Sequence, residues 1–465
     1  MIRSAFNLLS AESPAEGPAR QVPSDHRLTA GQEFRWKSAR LLIPWDIGQL
    51  LSSLGEDAPA PAEVRWTYHP HSSVAAIKKV VLADGTEWEP SNFPKIGTVY
   101  RGIAARVSAA EYRAIVEDSE GTLAATLRDK VAGEMSLVEY ADKEFIIVTD
   151  GEGVILVWQL LPQKPDMTVF EPLRIDDEGP SRLPAGYEAL AGKKVAIIGC
   201  GSAGSKIAAS LARDGVGAFL LIDDDLYLRD NLVRNDLDWR SVGVHKVDGV
   251  SRRIRAVNPG AKVEVRRIRL TGQESAASAA SALDQVAACD LIVDATAEPN
   301  VFNLLASVSI TAKKPMVWLE VFAGGIGGMV ARHLPGIDET PQVMRNAYNN
   351  WCRSRAVPWI GAAAGDYAVN IGNGPVLVAD DADASVIAAH AARMASDVLT
   401  GGSGFPHSMY VVSLRAGWIF DEPFEAYPID AEAPEAEVDP EEREQGVKFL
   451  IEDILSKVGD ETAAS

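Results

Sequence analysis

The sequence predicts an α/β protein whose main domain is built on a doubly wound sheet. Two observations carry this prediction. From about residue 194 onward, short apolar stretches alternate with helical stretches at the spacing of parallel βαβ units. The first apolar stretch leads through the glycine-rich turn GCGSAG into the first helix. The chain before residue 175 has mixed patterns and lacks such a turn, which predicts a smaller α+β domain in front.

The predicted elements of the main domain follow from these patterns. The strands are Val195–Ile198, Ala218–Ile222, Ala261–Arg267, Leu291–Asp294 and Pro315–Glu320. The helices are Ser202–Arg213, one near His245–Val257, one within Ala276–Ala287, and an amphipathic one over 384–402. Residues 338–360 interrupt the alternation. Before the last helix, Asp380, Asp381 and Asp383 are expected to be capping groups.

Four segments are predicted along the chain. Residues 1–30 are rich in Pro, Ser, Ala and Glu, which is typical of a flexible lead-in. The α+β domain of unknown role covers 31–175, and the Rossmann-like domain with its doubly wound mixed sheet covers 180–425. The acidic tail 426–465 ends in a short predicted helix whose apolar face needs a partner.

Length, charge and cysteine content limit the class of protein. The 465 residues suffice for two or three domains. A net charge of −20 argues against broad binding to nucleic acid or to an anionic membrane. Three scattered cysteines exclude a secreted disulfide framework and a four-cysteine zinc site. No stretch is long and apolar enough to span a membrane, so we expect a cytoplasmic protein.

The glycine turn predicts a phosphate-binding loop. Gly199 permits the tight turn, Gly201 lets the backbone approach a phosphate, and Gly204 lets the helix pack close to the strand. The helix N-terminus favours an anion, and Asp223, at the end of the next strand, is placed to accept ribose hydroxyls. NAD, FAD and ATP all fit this pattern, and a glycine turn without a ligand stays open.

Two cations behind the loop favour ATP. Arg234 lies in the stretch NLVRN, and Lys246 follows twelve residues later. Each alone would be read as a solvated surface charge. Together they suit a triphosphate, because an Arg fork and a Lys point charge both neutralise phosphate oxygens.

With this glycine loop and the residues that follow it, the sequence resembles the MoeB/ThiF/HesA superfamily, whose adenylating fold is shared with ubiquitin-activating enzymes. The resemblance is strong over about 185–335, weaker to 425, and absent over 1–175. It rests on the glycine loop, the stretches GVG, VNPG, CDLIVDAT and KPMVWLEVFAGGIGG, and on Asp223, Asp225, Asn231, Arg234 and Lys246.

The resemblance implies a role for each matching residue. It implies that the loop residues Gly199, Gly201, Ser202 and Gly204 cradle the phosphates of ATP. It implies that Asp223 and Asp225 lie at the ribose, and that Asn231, Arg234 and Lys246 contact the triphosphate. The family's usual magnesium aspartate falls on Ala297, so Mg²⁺ is expected on Asp294, with Glu298 as the other candidate.

The family reaction implies a use for a cysteine. A C-terminal carboxylate attacks the α-phosphate of ATP and becomes an acyl-adenylate, which some members pass to their own cysteine as a thioester. Cys200 and Cys289 are expected to pack in the core. Cys352 lies in the segment where relatives carry this cysteine. Its neighbours Arg345, Arg353 and Arg355 are expected to favour the thiolate.

The absence of paired Cys-x-x-Cys zinc ligands favours bacterial ubiquitin-like conjugation of the kind found in anti-phage operons. The expected partners are a ubiquitin-like protein, a conjugating enzyme and a second copy of the chain. The cysteine-free first domain cannot itself conjugate, so recruitment of a partner or extension of a dimer stays open. Three alternatives remain: an enzyme that adenylates a peptide, a degenerate ATP-binding scaffold suggested by Ala297, and, more distantly, a nicotinamide oxidoreductase.

Overall fold

The structure is a computed structural model in which the chain divides into two compact units, Met1–Arg182 and Leu183–Ser465. The described residues are 38–55, 59–69, 72–91, 93, 95–117, 144–158, 168–175, 183–272, 276–355, 357, 368–369, 377–402, 404–417 and 419–431. The predicted flexible segment 1–30 and the predicted helix of the tail lie outside these residues.

The first unit is dominated by strands. They are β1 (Ala39–Pro44), β2 (Ala60–His69), β3 (Ser72–Val81), β4 (Glu87–Trp88), β5 (Thr98–Arg106), β6 (Phe145–Thr149), β7 (Val154–Trp158) and β8 (Thr168–Ile175). Two helices accompany them, α1 (Ile47–Ser53) and α2 (Ala109–Glu117). β6 and β7 pair antiparallel across the turn at residues 150–153.

The sheet of the first unit closes on itself. Its strand order is β1-β8-β7-β6-β5-β2-β3-β4, and β1 pairs in parallel with both β8 and β3. One cluster of buried side chains joins residues of most of these strands to α1, including Leu41, Val64, Ile77, Phe145 and Leu156. A second, smaller cluster packs Ile103, Ile146 and Ile155 against Ile115 of α2. The strands therefore bury apolar side chains on two faces.

The second unit alternates strands and helices, as the sequence predicts. Its strands are β9 (Lys194–Ile198), β10 (Ala218–Ile222), β11 (Lys262–Arg266), β12 (Leu291–Asp294), β13 (Met316–Val321), β14 (Gly327–His333), β15 (Ala368–Val369), β16 (Leu377–Val378), β17 (Met409–Ser413) and β18 (Ala426–Ile429). Its helices are α3 (Ser202–Arg213), α4 (Lys246–Val257), α5 (Ala276–Ala287), α6 (Pro299–Ala312), α7 (Pro341–Ser354) and α8 (Asp381–Thr400).

The sheet of the second unit is mixed and doubly wound, which confirms the predicted fold class. Its order is β11-β10-β9-β12-β13-β14-β17-β18. The strands from β11 to β13 run parallel, whereas β14, β17 and β18 are antiparallel to their neighbours. The central strands are apolar except for Lys194 and Asp294 at their ends, since helices cover both of their faces.

Alternate residues of the central strands enter two different cores. Val195 and Ile197 of β9 pack with α3, α4 and α8, whereas Ala196 and Ile198 pack with α5, α6 and α7. The unit therefore has three layers, with the sheet between two layers of helices. The segment that the sequence leaves outside the alternation contains α7, a helix of fourteen residues with a buried face.

The ends of α8 follow from local chemistry. The Asp380 carboxylate accepts the backbone N–H of Asp383, and the Asp383 carboxylate accepts that of Asp380, which confirms the predicted caps for this pair. The helix ends at Thr400 and is capped by Gly401, whose φ of 69° suits glycine. No helix in the described ranges combines the length and apolar character that crossing a bilayer requires.

Candidate functional site

The predicted loop residues meet at the carboxyl edge of the parallel sheet. Ile198, the last residue of β9, is in register with Ile222 of β10 and with Asp294 of β12. The Gly199 N–H donates to the Ile222 carbonyl at 2.9 Å, and the Ala295 N–H donates to the Ile198 carbonyl at 2.8 Å. The residues that follow these strands therefore lie side by side, where open α/β sheets bind ligands.

The three glycines differ in what a side chain would meet. Gly199 has a φ of 86°, a left-handed conformation that favours glycine. A Cβ on Gly204 would lie 1.9 Å from the Gly199 carbonyl oxygen, so the start of α3 presses against the loop. A Cβ on Gly201 would meet nothing within 4 Å. Of the three, Gly201 faces open space that a ligand can enter.

The N-terminus of α3 presents its donors at this open space. Gly201 is the N-cap and Ser202 is the first helical residue. First-turn N–H groups have no carbonyl partner within their own helix, and the helix dipole adds partial positive charge there. This arrangement suits a phosphate, and the residues present fit the nucleotide that the sequence predicts.

Asp223 anchors the loop from the end of β10. Its carboxylate accepts the Cys200 N–H at 2.7 Å and the Asp225 N–H at 2.9 Å. Burial raises the pKa of Asp223, while these N–H groups and Lys246 oppose the rise. The carboxylates of Asp223, Asp224 and Asp225 offer oxygens within 4.8 Å of one another.

Lys246 stands beside this acidic group. It is the first residue of α4, and its Nζ lies 2.5 Å from a carboxylate oxygen of Asp225. The Lys246 side chain is only 12% exposed, whereas that of Asp225 is 63% exposed. The structure therefore brings Lys246 together with Asp225 at the edge that carries the glycine loop.

Arg234 and Asn231 contact protein groups at the same edge. Arg234 Nη1 donates to the Ala379 carbonyl at 3.0 Å, just before the N-cap of α8. Asn231 Oδ1 accepts the Leu228 N–H at 2.8 Å and closes the 3-10 turn Arg229–Val233. The buried Asn235, which was not predicted as a site residue, donates from Nδ2 to the Cys200 carbonyl at 3.1 Å. It ties this segment to the loop.

Asp294 is buried at the end of β12. The N–H and hydroxyl of Thr296 both donate to Asp294 Oδ1, at 3.0 and 2.7 Å, so the second oxygen takes part in neither contact. Burial raises the pKa of Asp294 to about 6, against the lowering effects of Thr296 and of the Arg345 charge. A carboxylate here suits Mg²⁺, but its affinity should fall as the pH drops below about 6.

Ala297, which the resemblance puts at the usual magnesium aspartate, differs in character from the adjacent candidate Glu298. Ala297 is exposed and has a φ of 56°, in the left-handed region. Glu298 carries a half-exposed carboxylate that pairs with Arg269 at 3.2 Å. The left-handed backbone at Ala297 suits Asp or Asn better than Ala, because short polar side chains tolerate it.

Ala297→Asn is therefore expected to stabilise the second unit. The substitution relieves left-handed strain, and we expect the free energy of unfolding to rise by about 1 kcal/mol in urea denaturation. Ala280→Asn is the matched control, because Ala280 is exposed within α5 and there Asn should cost about 0.6 kcal/mol in helix propensity. Equal effects of the two substitutions would contradict the strain at Ala297.

Cys200 and Cys289 belong to the two cores, as the sequence predicts. Both are fully buried, Cys200 on the α3 side of the sheet and Cys289 on the α5 side. Burial raises the pKa of the Cys200 thiol well above its ordinary value, and that of Cys289 to about 11. Neither thiol has the environment of a nucleophile.

Cys352 is also buried, and the expectation that nearby arginines favour its thiolate is wrong. Burial raises the pKa of its thiol to about 11, so neighbouring arginines do not favour the thiolate. The three guanidinium groups are engaged elsewhere. Arg345 lies over the Phe302 ring, Arg353 donates to Asn350, and Arg355 lies over the rings of Trp351 and Tyr427. The expected role of Cys352 remains a prediction and needs another source of activation.

Two polar residues near Cys352, Glu320 and Tyr348, were not predicted from the sequence. Glu320 is a charged residue in the apolar stretch MVWLEV of β13, and Tyr348 lies one helical turn before Cys352 in α7. Burial raises the pKa of Glu320 and of the Cys352 thiol, Tyr348 opposes the rise at both groups, and the Arg345 charge opposes it at Glu320. The sequence signal for Glu320 is a single acidic residue within an otherwise apolar strand.

Comparison with known proteins finds a family match that lies almost entirely in the first part of the second unit. Residues 180–341 match the ThiF family. The chain is 36% identical over 125 residues to adenylyltransferase and sulfurtransferase UBA4 of Debaryomyces hansenii, covering 27% of this chain and 26% of that protein. It is 28% identical over 155 residues to ATP-dependent ubiquitin transferase-like protein Cap2 of Pseudomonas aeruginosa, covering 32% of this chain and 26% of that protein.

The chain thus spans about a quarter of the length of these curated relatives. Among solved structures, E. coli MccB with ATP aligns with a TM-score of 0.41 at 18% identity, covering 54% of this chain and 68% of that one. The family match covers the glycine loop, Asp223, Lys246 and Asp294. The chain therefore carries a ThiF family domain over residues 180–341.

Proposed function

We propose that this protein uses ATP to adenylate the C-terminal carboxylate of a ubiquitin-like protein. The observation that carries the proposal is the carboxyl edge of the sheet. There the open face of Gly201, the N-terminus of α3 and the partly buried Lys246 stand together. This combination offers a cradle for phosphate, partial positive charge and a full positive charge on one surface.

The bound nucleotide would be held by the chain's own groups. In this proposal the phosphates lie against Gly201 and Ser202, and Asp223 receives the ribose hydroxyls. Lys246 would exchange its partner Asp225 for phosphate oxygens, and Arg234 would leave the Ala379 carbonyl for the same purpose. Asp294 would hold Mg²⁺, which when bound would offset negative charge on the triphosphate.

The proposed step is a phosphoryl substitution with a balanced outcome. A carboxylate oxygen of the substrate attacks the α-phosphorus of ATP, and the bond between that phosphorus and the bridging oxygen breaks. The products are an acyl-adenylate and pyrophosphate. Lys246 and Arg234 would stabilise charge that moves to the leaving group, which is the main contribution a protein makes to such a reaction.

Two observations support a ubiquitin-like substrate. One relative bears the name ubiquitin transferase-like protein. The chain also lacks the paired Cys-x-x-Cys zinc ligands expected of sulfur-carrier members. The proposal therefore includes transfer to Cys352 as a thioester and then to a conjugating enzyme. It places the reaction in the cytoplasm, in a homodimer, within an antiviral conjugation pathway.

Exchange of radiolabelled pyrophosphate into ATP tests the proposal. We expect exchange that requires a small protein ending in Gly-Gly, such as one encoded beside this gene. Exchange that occurs with a short synthetic peptide instead would replace the ubiquitin-like substrate by a peptide. ATP binding without exchange, in the presence of either acceptor, would contradict adenylation. It would favour the alternative of a scaffold that only binds ATP.

Asp294→Asn is the accompanying variant for the magnesium site. It keeps the shape of the side chain and the hydrogen bonds from Thr296 while removing the negative charge. The magnesium dependence of exchange should shift to higher concentration, and an unchanged dependence would move the site to Glu298.

A further inference from the structure

Arg345 of α7 is held in place by an aromatic ring. Its guanidinium carbon lies 4.7 Å from the centroid of the Phe302 ring, in the first turn of α6. The side chain is partly buried. Neither a hydrogen bond nor an ion pair joins this guanidinium to any of the residues that the structure describes. Because a guanidinium carries five N–H donors in a planar fork, a fixed one with open donors can receive a ligand.

Two carboxylates lie near this guanidinium at the carboxyl edge of the sheet. Asp294 ends β12 and is in register with Trp318 of β13, and Glu320 follows Trp318 by two residues. Successive side chains of a strand alternate between its faces, so Trp318 and Glu320 point to the same side. The Phe302 ring packs edge-on against Trp318 at a centroid distance of 5.4 Å. This contact places Arg345 on the side of the sheet that carries Glu320.

A second ring contact fixes α7 over the end of β13. Tyr348, three residues after Arg345, stacks on Phe322 at a centroid distance of 6.3 Å and an interplanar angle of 13°. Burial raises the pKa of Asp294 to about 6 and also raises that of Glu320, and the Arg345 charge opposes both rises. The guanidinium therefore acts on both carboxylates through its charge, although it forms an ion pair with neither.

These surroundings suit a carboxylate ligand. Asp294 and Glu320 would repel an incoming carboxylate unless a cation offset their charge, and Arg345 supplies that cation. The planar guanidinium fork also matches the two oxygens of a carboxylate. The ATP phosphates have other candidate partners, Lys246 and the N-terminus of α3, which follow β10 and β9. In the strand order β10-β9-β12-β13, Arg345 lies toward β13, at the far side of Asp294 from those partners.

We infer that Arg345 binds the C-terminal carboxylate of the acceptor and holds it beside Asp294 for adenylation. The inference rests on the proposed function, in which that carboxylate attacks the α-phosphorus of ATP. Two N–H groups of the guanidinium donate to the two carboxylate oxygens, and the stack on Phe302 fixes their direction. A C-terminal amide lacks the negative charge and the second acceptor oxygen, so the site discriminates against it.

Fluorescence anisotropy with the full-length chain tests the inference in the absence of ATP. The probe is a fluorescein-labelled synthetic peptide that ends in Gly-Gly with a free carboxylate, and its twin has an amidated C-terminus. The unmodified protein should bind the free carboxylate about tenfold more tightly than the amide, since the contact is charge-assisted. Arg345→Met should bind the two peptides equally. Equal binding by the unmodified protein, or an unchanged preference in Arg345→Met, would overturn the inference.

Arg355→Met is the matched control. Arg355 follows the same helix and also lies over an aromatic ring, 4.6 Å from the centroid of Trp351. Its removal should leave the preference for the carboxylate in place, and loss of the preference there would refute the assignment to Arg345.

Arg345→Lys keeps the inference testable if Arg345→Met does not fold. It retains the charge near Asp294 and Glu320 but loses the planar fork. The preference should fall about threefold, because an ammonium group does not match both carboxylate oxygens. A full preference in this variant would contradict the two-oxygen contact.

Phosphate oxygens of ATP share this chemistry, and titration calorimetry separates the two ligands. Arg345→Met should bind ATP as tightly as the unmodified protein. Weaker ATP binding together with a retained peptide preference would make Arg345 a phosphate ligand and refute the inference.

The inference and the proposed function fail in different ways. Anisotropy involves no ATP, whereas pyrophosphate exchange reports adenylation. A carboxylate preference that depends on Arg345, without exchange, would keep the binding site and refute adenylation. In exchange, Arg345→Met should raise the KM for the acceptor and leave the KM for ATP unchanged. Exchange with an unchanged acceptor KM would keep adenylation and refute the binding site.

Discussion

Lys246→Met is expected to weaken ATP binding about 30-fold and to slow pyrophosphate exchange about a hundredfold. The side chain keeps its length but loses the charge that stands 2.5 Å from Asp225 at the edge of the glycine loop. A charge-assisted contact contributes about 2 kcal/mol to binding, and its loss from a developing charge costs more. Titration calorimetry with ATP measures the first effect without an acceptor protein.

Lys194→Met is the matched control for this prediction. Lys194 also pairs with a carboxylate, Glu264, at 2.8 Å, but it begins β9 and therefore lies at the opposite edge of the sheet. Its loss should leave the ATP affinity within about twofold, since an exposed ion pair contributes little. A folded Lys246→Met protein that binds ATP as tightly as the control would remove Lys246 from the proposed site.

Gly204→Ala is expected to destabilise the second unit by about 3 kcal/mol and to abolish ATP binding. The added methyl group would lie 1.9 Å from the Gly199 carbonyl oxygen, so α3 must move away from the loop. Overpacking of this kind costs about 1–3 kcal/mol, and backbone atoms cannot rotate aside as side chains do. Urea denaturation followed by circular dichroism measures the change.

Gly201→Ala separates binding from folding at the same loop. Its Cβ meets nothing within 4 Å, and the residue has a φ of −74°, which alanine adopts freely. We expect unchanged unfolding but weaker ATP binding, because the methyl group enters the space proposed for a phosphate. If Gly201→Ala binds ATP normally, the phosphate does not approach the loop at this residue.

Much of the second unit could be predicted from the sequence because its signals are local. The apolar stretches of β9, β10 and β12 mark buried parallel strands, and the glycine spacing marks the turn between β9 and α3. Asp380 and Asp383 mark the start of α8, because their carboxylates accept backbone N–H groups three residues apart. Each of these features depends on residues close together in the chain.

The features that escaped prediction depend on long-range packing. The burial of Cys352 requires α7 to lie against the sheet. Of the arginines near it in sequence, Arg345 and Arg355 lie over aromatic rings and Arg353 donates to Asn350. The contact of Arg234 with Ala379 joins residues that are 145 positions apart. The left-handed backbone of Ala297 has no sequence signal, since alanine rarely adopts it.

The closed sheet of the first unit restricts how another protein can bind there. Since β1 pairs with both β3 and β8, its described strands leave little unpaired backbone, chiefly along the two-residue β4. Many protein partners attach by adding a strand to an open sheet edge, and this sheet offers almost none. A partner of the first unit must therefore be selected by the side chains on its outer surface, so that surface substitutions there should alter recognition without disturbing the sheet.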